Sequence, residues 1–344
     1  MDRLGFRVDS IFPADSPSVA VLRGYGMRLR LDPAAPDSPA SLRITSTDLD
    51  SVGGPARLVA PDGTTVDVVD GDPPLVMPPL HQSFVLERAS DDARWTVGRA
   101  GMRYRDLIPD RQGGRFIASH IQIPTAGPVS DYVHFHKIRF QMIYCYRGWV
   151  RLVYEDQGEP FIMNAGDCVL QPPRIRHRVL ESSAGLEVVE IGCPALHETF
   201  ADPETLLPTG VVLPERDFGG QRYAFHRADG ASWTDPIDGS DGFERRQFGF
   251  AEATAGLGEA SVSRVRQSTN QGPSAVVSDL RSHNGEFLFN FVLDGSVTLG
   301  RPGFDDEVLA PGDSFVMPAD QEFELRNRSV DLELLEVALP APTI

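Results

Sequence analysis

The chain has no apolar run approaching the roughly 20 residues that a membrane-spanning helix needs, and long helical periodicities are scarce across its 344 residues. It has no excess of basic residues: 32 lysines and arginines stand against 49 acidic residues, for a formal net charge of −17. A surface of that sign repels phosphate backbones and anionic lipid, so neither nucleic acid nor membrane is expected as a partner. The opening stretch, MDRLGFRVD, lacks the apolar core of a secretion signal, which predicts a cytoplasmic location. Cysteine is scarce too. Cys145, Cys168 and Cys193 show no C-x-x-C spacing and cannot all pair, as expected of reduced thiols in a core. Also missing are a G-x-S-x-G nucleophile elbow, a P-loop and a dinucleotide fingerprint placed after a strand, which removes the chemistries those motifs serve.

What the chain does have is glycine (32) and proline (28). With aspartate they bound short β-rich runs: FQMIYCY, WVRLVY, GLEVVEI, FLFNFVL and LELLEVAL. That pattern predicts an all-β protein built as barrels or sandwiches. An internal repeat sharpens it. YRGWVRLVY at Tyr146–Tyr154 is echoed by LDGSVTL at Leu293–Leu299, and AGDCVLQP at Ala165–Pro172 by PGDSFVMP at Pro311–Pro318. The glycine offsets agree: Gly148 to Gly295 is 147 residues and Gly166 to Gly312 is 146. Two copies of one β-domain are expected, over residues 91–195 and 243–344. Residues 196–242 read as an ordered connector that ends in a flexible Gly/Asp-rich loop, DPIDGSDG. Residues 1–90 mix strand-like pieces with proline-rich breaks, and are expected to extend the barrels, wrap a partner subunit or form a small domain.

The chemistry is concentrated in one short region. His134, His136, Gln141 and His177 are three imidazoles and an amide at metal-ligand spacing. Two histidines one residue apart on a strand point to the same face, and a third from another strand completes a facial set with coordination positions left open. In the strand that follows, alternation puts Gln141, Ile143 and Cys145 on one face and Met142, Tyr144 and Tyr146 on the other. Ile143 and Cys145 then line a partly apolar pocket, and Phe140 borders the ligands as a gate. Arg174, in the turn before His177, is the candidate for a substrate carboxylate, with Arg139 a weaker one. His120 falls on a mixed polar strand face and reads as a hydrogen-bonded structural histidine or a pocket acid/base.

These residues resemble the two motifs of the cupin superfamily, and the doubling resembles a bicupin. His134, His136 and Gly148 match the first motif, with Gln141 where the family usually has glutamate and Gly127 one residue early. Gly166, Pro172 and His177 match the second, with Arg174 and Glu181 replacing its glycine and asparagine. The match spans about residues 127–181. The resemblance implies two jelly-roll β-barrels in tandem with an N-terminal extension, and one divalent metal inside the first barrel. Fe(II) is favoured, with Ni, Mn, Co and Zn as alternatives. Gln141 is either a fourth ligand or a hydrogen-bonding group beside the metal. In the second copy the offsets place Arg281, His283, Leu288 and Phe323 at the ligand positions, so that barrel is expected to be metal-free and structural.

A site of three neutral imidazoles leaves the metal its full positive charge, which suits an anionic, chelating substrate. Similar neutral sites in cupin dioxygenases imply a dioxygenase that acts on a small oxygen-chelating aromatic or enolisable compound, with O2 as co-substrate. The alternatives are a non-oxidative isomerase, cyclase or lyase, and a small-molecule binding protein. A homo-oligomer is expected as the assembly.

Overall fold

The structure is a computed structural model of the chain. It describes residues 6–342 apart from 25, 36–38, 40, 60, 62, 91–94, 237–241 and 267–279. Most of the loop expected at 235–242 therefore lies outside the described residues. Among the described residues, α-helix is confined to Phe250–Ala253. No helix among them is long and apolar enough to cross a membrane.

The first barrel is a pair of facing sheets, of nine and seven strands among the described residues. One runs in the order Phe161–Asn164, Trp149–Tyr154, His177–Ser182, His134–His136, Thr199–Ala201, Arg7–Phe12, Val19–Gly24, Met27–Leu31, with Gly127–Pro128 as the ninth strand beside His177–Ser182. The other runs Ala224–His226, Cys168–Leu170, Phe140–Arg147, Leu186–Cys193, Ile117–Ile123, Arg103–Asp106, Thr96–Val97. The second barrel repeats the plan with sheets of six and three strands among the described residues. Strand Phe287–Asp294 takes the place of Phe140–Arg147, and Glu333–Leu339 that of Leu186–Cys193.

The repeat extends to the turns. Gly148 and Gly295 both sit at positive φ, 75° and 69°, where a side chain is strained. In both copies the following amide donates to a serine hydroxyl, Trp149 to Ser183 and Ser296 to Ser329. The aspartates of the two G-D pairs also act alike. Asp167 accepts from the amides of Asn164 and Ala228, and Asp313 from those of Ala310 and Ala89. Each carboxylate closes its own turn and pins a segment that arrives from outside the repeat.

Those incoming segments redraw the sequence boundaries. The connector supplies Thr199–Ala201 and Ala224–His226 to the first barrel. The N-terminal ninety residues divide three ways. Residues 7–31 extend a sheet of the first barrel, Val85–Glu87 pairs with Ser314–Val316 of the second, and strands within 41–70 form a separate three-stranded sheet.

Alternation along Phe140–Arg147 places the cores. Gln141, Ile143 and Cys145 turn into the first barrel, while Phe140, Met142 and Tyr144 turn outward into a core shared by both barrels. There they meet Phe248, Phe250, Phe289, Phe291 and Leu339, and Phe116 stacks on Phe287 with ring centroids 4.1 Å apart. Phe140 is thus not the gate expected of it: it is wholly buried, and a Cβ on Gly258 would lie 2.8 Å from its ring. Charges tie the same seam, since Arg115 and Arg139 both hold Glu286 of the second barrel at 2.7 Å. Arg139 is thereby engaged away from the cavity. Phe140→Ala is expected to cost about 3–5 kcal/mol of stability, read from urea unfolding, with metal uptake per folded chain unchanged. A gate would show the reverse pattern.

Candidate metal centre

The short strand His134–His136 sends both imidazoles inward, while Phe135 between them turns outward to stack on Phe200, centroids 5.2 Å apart. His177 lies directly across from His134 on the neighbouring strand. The turn before it is fixed by the Arg174 amide, which donates to the His136 carbonyl at 2.9 Å, and by the left-handed φ of 66° at Arg174. The three rings come together with centroids 4.2 to 5.5 Å apart. One nitrogen from each lies within 4.8 Å of the others, so the group can hold a metal ion.

Backbone carbonyls decide which nitrogens those are. Nδ1 of His134 donates to Tyr132 at 2.8 Å, Nδ1 of His136 to Glu198 at 3.2 Å, and Nδ1 of His177 to Ile175 at 3.0 Å. With the proton committed to Nδ1, each Nε2 carries a bare lone pair. His134 Nε2 is buried without any hydrogen-bond partner. An orphaned acceptor among two more imidazoles fits a metal ion, and a hydrogen-bonded core would have satisfied it. Burial, first of all, holds all three imidazoles below their ordinary range, His177 at about 4, so they remain neutral, the form that binds metal.

The rings open into a cavity walled by Met102, Ile121, Ile143, Leu152, Met163 and Val188. Four further polar groups face it. Gln141 donates from Nε2 to Glu190 Oε1 at 2.6 Å. Glu190 is partly accessible, and burial pushes its carboxyl above the usual range. Gln171 accepts from Tyr154 Oη at 2.5 Å, while its own Nε2 is buried without a partner. Arg99 forms an ion pair with the buried Asp131, whose other oxygen accepts the Val179 amide at 2.9 Å.

Of the remaining expected site residues, Ile143 lines the cavity. Cys145 shares its face but is packed further along the barrel core, away from the cavity wall, with burial raising its thiol to about 12. Arg174 lies outside: its half-exposed guanidinium pairs with Asp72 at 2.7 Å. The left-handed turn that positions His177 is what throws that side chain outward. His120 sits at the seam of the two barrels, bonded to Glu187 at 2.9 Å and to Arg105 at 3.2 Å. Arg99, Gln171 and Glu190 were missed. Glu190 had left a signal, a lone carboxylate in the apolar run VVEIG on an inward-facing register. Arg99 lies before the barrel motif and left none.

The sequence matches no protein-family model and no curated protein. The fold does match solved structures. Oxalate decarboxylase from Bacillus subtilis aligns with a TM-score of 0.53 at 13% identity, covering 79% of this chain and 79% of that one. Salicylate 1,2-dioxygenase from Pseudoaminobacter salicylatoxidans, in a variant bound to gentisate, aligns at 0.54 and 16% identity, covering 76% and 83%. Protein Ylba from E. coli aligns at 0.52 and 10% identity, covering 78% and 96%. At these identities the likeness defines an architecture, tandem jelly-roll barrels. The chain has the bicupin fold.

Protonation of the histidines gives the site a measurable signature. In the metal-free protein the unfolded chain takes up protons near pH 6.5 that the folded imidazoles refuse. The stability they contribute is therefore complete above pH 6.5 and is lost as the pH falls toward about 4, by about 3 kcal/mol for His177 alone. Urea midpoints measured across that window with EDTA present should drop steadily, and His177→Gln should flatten the slope.

Proposed function

We propose that His134, His136 and His177 hold one divalent first-row metal through Nε2, with Fe(II) favoured, and that the protein is a dioxygenase for a small oxygen-chelating aromatic or enolisable substrate. The observation that carries this reading is the neutral ligand set: three bare imidazole nitrogens at the end of an apolar cavity. A bound metal would supply Lewis acidity and, as iron, one-electron redox chemistry. With no ligand charge to offset it, that centre favours a substrate that brings an anionic oxygen of its own.

The chain's own residues complete the chemistry. Glu190 is the one carboxylate facing the cavity among the described residues, and its raised proton affinity suits it to take the proton that a substrate hydroxyl must lose in order to chelate. Gln141 holds Glu190 in place through its amide nitrogen, which makes it a positioning residue for the base. Arg99 presents a guanidinium on the same wall, available to an acidic group on the substrate. The apolar wall, Ile143 included, accepts the body of the substrate and keeps water away. The gentisate-bound salicylate 1,2-dioxygenase among the structural neighbours supports this class of substrate, by likeness of fold alone.

A second reading is a non-oxidative metal-dependent reaction with Zn or Ni, in which Glu190 is again the acid/base. The fold shared with oxalate decarboxylase favours keeping it in view. Elemental analysis of the isolated protein separates the two. The decisive measurement is oxygen uptake by anaerobically purified, Fe(II)-loaded protein offered diphenols, β-diketones and flavonols. Uptake that depends on substrate is expected, and a fully metallated protein that consumes none overturns the dioxygenase reading. Glu190→Gln should lower kcat by about 10²- to 10⁴-fold while metal content stays at one per chain. His134→Ala should lose the metal.

A further inference from the structure

The seam between the barrels carries one polar cluster twice, once for each copy of the repeat, and the strand ladders give the correspondence. His120 lies across from Val189 and Arg105, and Val262 across from Leu335 and Arg246. Val189 and Leu335 pair in turn with Tyr144 and Phe291. At the ends of the same ladders Glu187 lies across from Arg147, and Glu333 across from Asp294. Trp95 and Trp233 each precede a threonine that bridges to the arginine's strand, Thr96 to Tyr104 and Thr234 to Arg245. Arg105 and Arg246 both donate to the carbonyl of a repeat glycine, Gly312 at 2.7 Å and Gly166 at 3.3 Å. At the centre the halves differ: a histidine stands in one and a valine in the other.

In the first half the His120 imidazole is a bridge. Its Nδ1 accepts from Arg105 at 3.2 Å and its Nε2 donates to Glu187 at 2.9 Å. Trp95, Tyr146 and Phe291 cage the ring, with centroids 5.1 to 5.7 Å away. Burial holds His120 below the usual imidazole range, so the bridging ring is neutral. Val262 is wholly buried and too short to repeat the bridge. The equivalents of the cage and of both poles, Trp233, Leu293, Tyr144, Arg246 and Glu333, line a single pocket. Arg246 is 5% exposed, and its Nε is buried without a partner. Beyond the Gly166 carbonyl it is held only by the faces of Trp233 and Phe248, 5.5 and 5.8 Å away, and no carboxylate pairs with it among the described residues. The partly buried Glu333 carboxylate likewise forms no ion pair or hydrogen bond among the described residues. Native structures seldom leave such groups without a partner. What would join these two is a ring that accepts at one edge and donates at the other.

We propose that this pocket binds a small neutral nitrogen heteroaromatic of the imidazole type. A ring nitrogen accepts from Arg246, the N–H donates to Glu333, and Trp233 and Tyr144 enclose the ring. Saturation-transfer NMR of imidazole with the full chain tests this at about pH 8, where the free ring is mostly neutral. EDTA is present so that no imidazole binds through a metal. Saturable binding is expected, at least tenfold weaker for N-methylimidazole, which has no N–H to donate. Val262→His is expected to abolish binding, because the new side chain fills the pocket as His120 fills its counterpart. His177→Ala should leave binding unchanged. No saturable binding to the wild-type chain overturns the proposal, as does full binding in folded Val262→His. Loss of binding in His177→Ala puts the ring in the first barrel and overturns the site, and N-methylimidazole binding as tightly as imidazole overturns the two-ended recognition. Near-UV circular dichroism checks that Val262→His is folded. Should it fail to fold, Glu333→Ala decides the matter: the proposal requires binding at least tenfold weaker, and unchanged binding overturns it.

Discussion

Two-residue alternation along residues 140–145 is the constraint on which the molecule turns. One face of this strand belongs to the cavity and the other to the core shared by the barrels, so site and seam are two sides of one ribbon. Because Phe140, Met142 and Tyr144 are locked against the second barrel, Gln141 and Ile143 have a fixed place in the first. A slip of one residue in register would send the amide into the apolar seam and an aromatic ring toward the histidines. The second barrel thus holds the first in register, whatever else it does.

The imidazoles of the site are organised by backbone carbonyls, and its other polar groups by side chains. Carbonyls of Tyr132, Glu198 and Ile175 fix the tautomer of all three imidazoles. Asp131 lies behind this arrangement, tying Arg99 to the strand that begins at His177. Wholly buried, the carboxylate offsets a guanidinium that would otherwise face the metal position uncompensated.

The histidine trio was legible in the sequence because period-two spacing and the turn before His177 are local properties. The doubled architecture was legible because the G-D turns recur at a nearly constant offset. What stayed hidden depended on long-range pairing. Arg99, in a short 3-10 turn, and Glu190, on a strand, reach the cavity from positions far apart in sequence, and nothing near Arg99 marks its destination. Arg174 misled because its neighbours suggested a site residue, while its left-handed backbone sends the side chain to Asp72. The reading of Cys145 had the alternation right, whereas that of Phe140 set it beside the ligands although alternation puts it on the face of Met142 and Tyr144. A second barrel covers the face of Phe140, and Cys145 is packed into the interior beyond the cavity.

The aspartate clasp at Asp313 has a consequence for how the chain comes together during synthesis. The strand Val85–Glu87 and the amide of Ala89 belong to the second barrel, yet their clasp is made 224 residues later. Among the described residues the first barrel has its strands once residue 226 has emerged, whereas this edge must wait for the rest of its sheet. Contacts of such sequence separation form slowly, and an unpaired strand edge invites other partners in the meantime. The short length of this strand, three residues, limits that exposure.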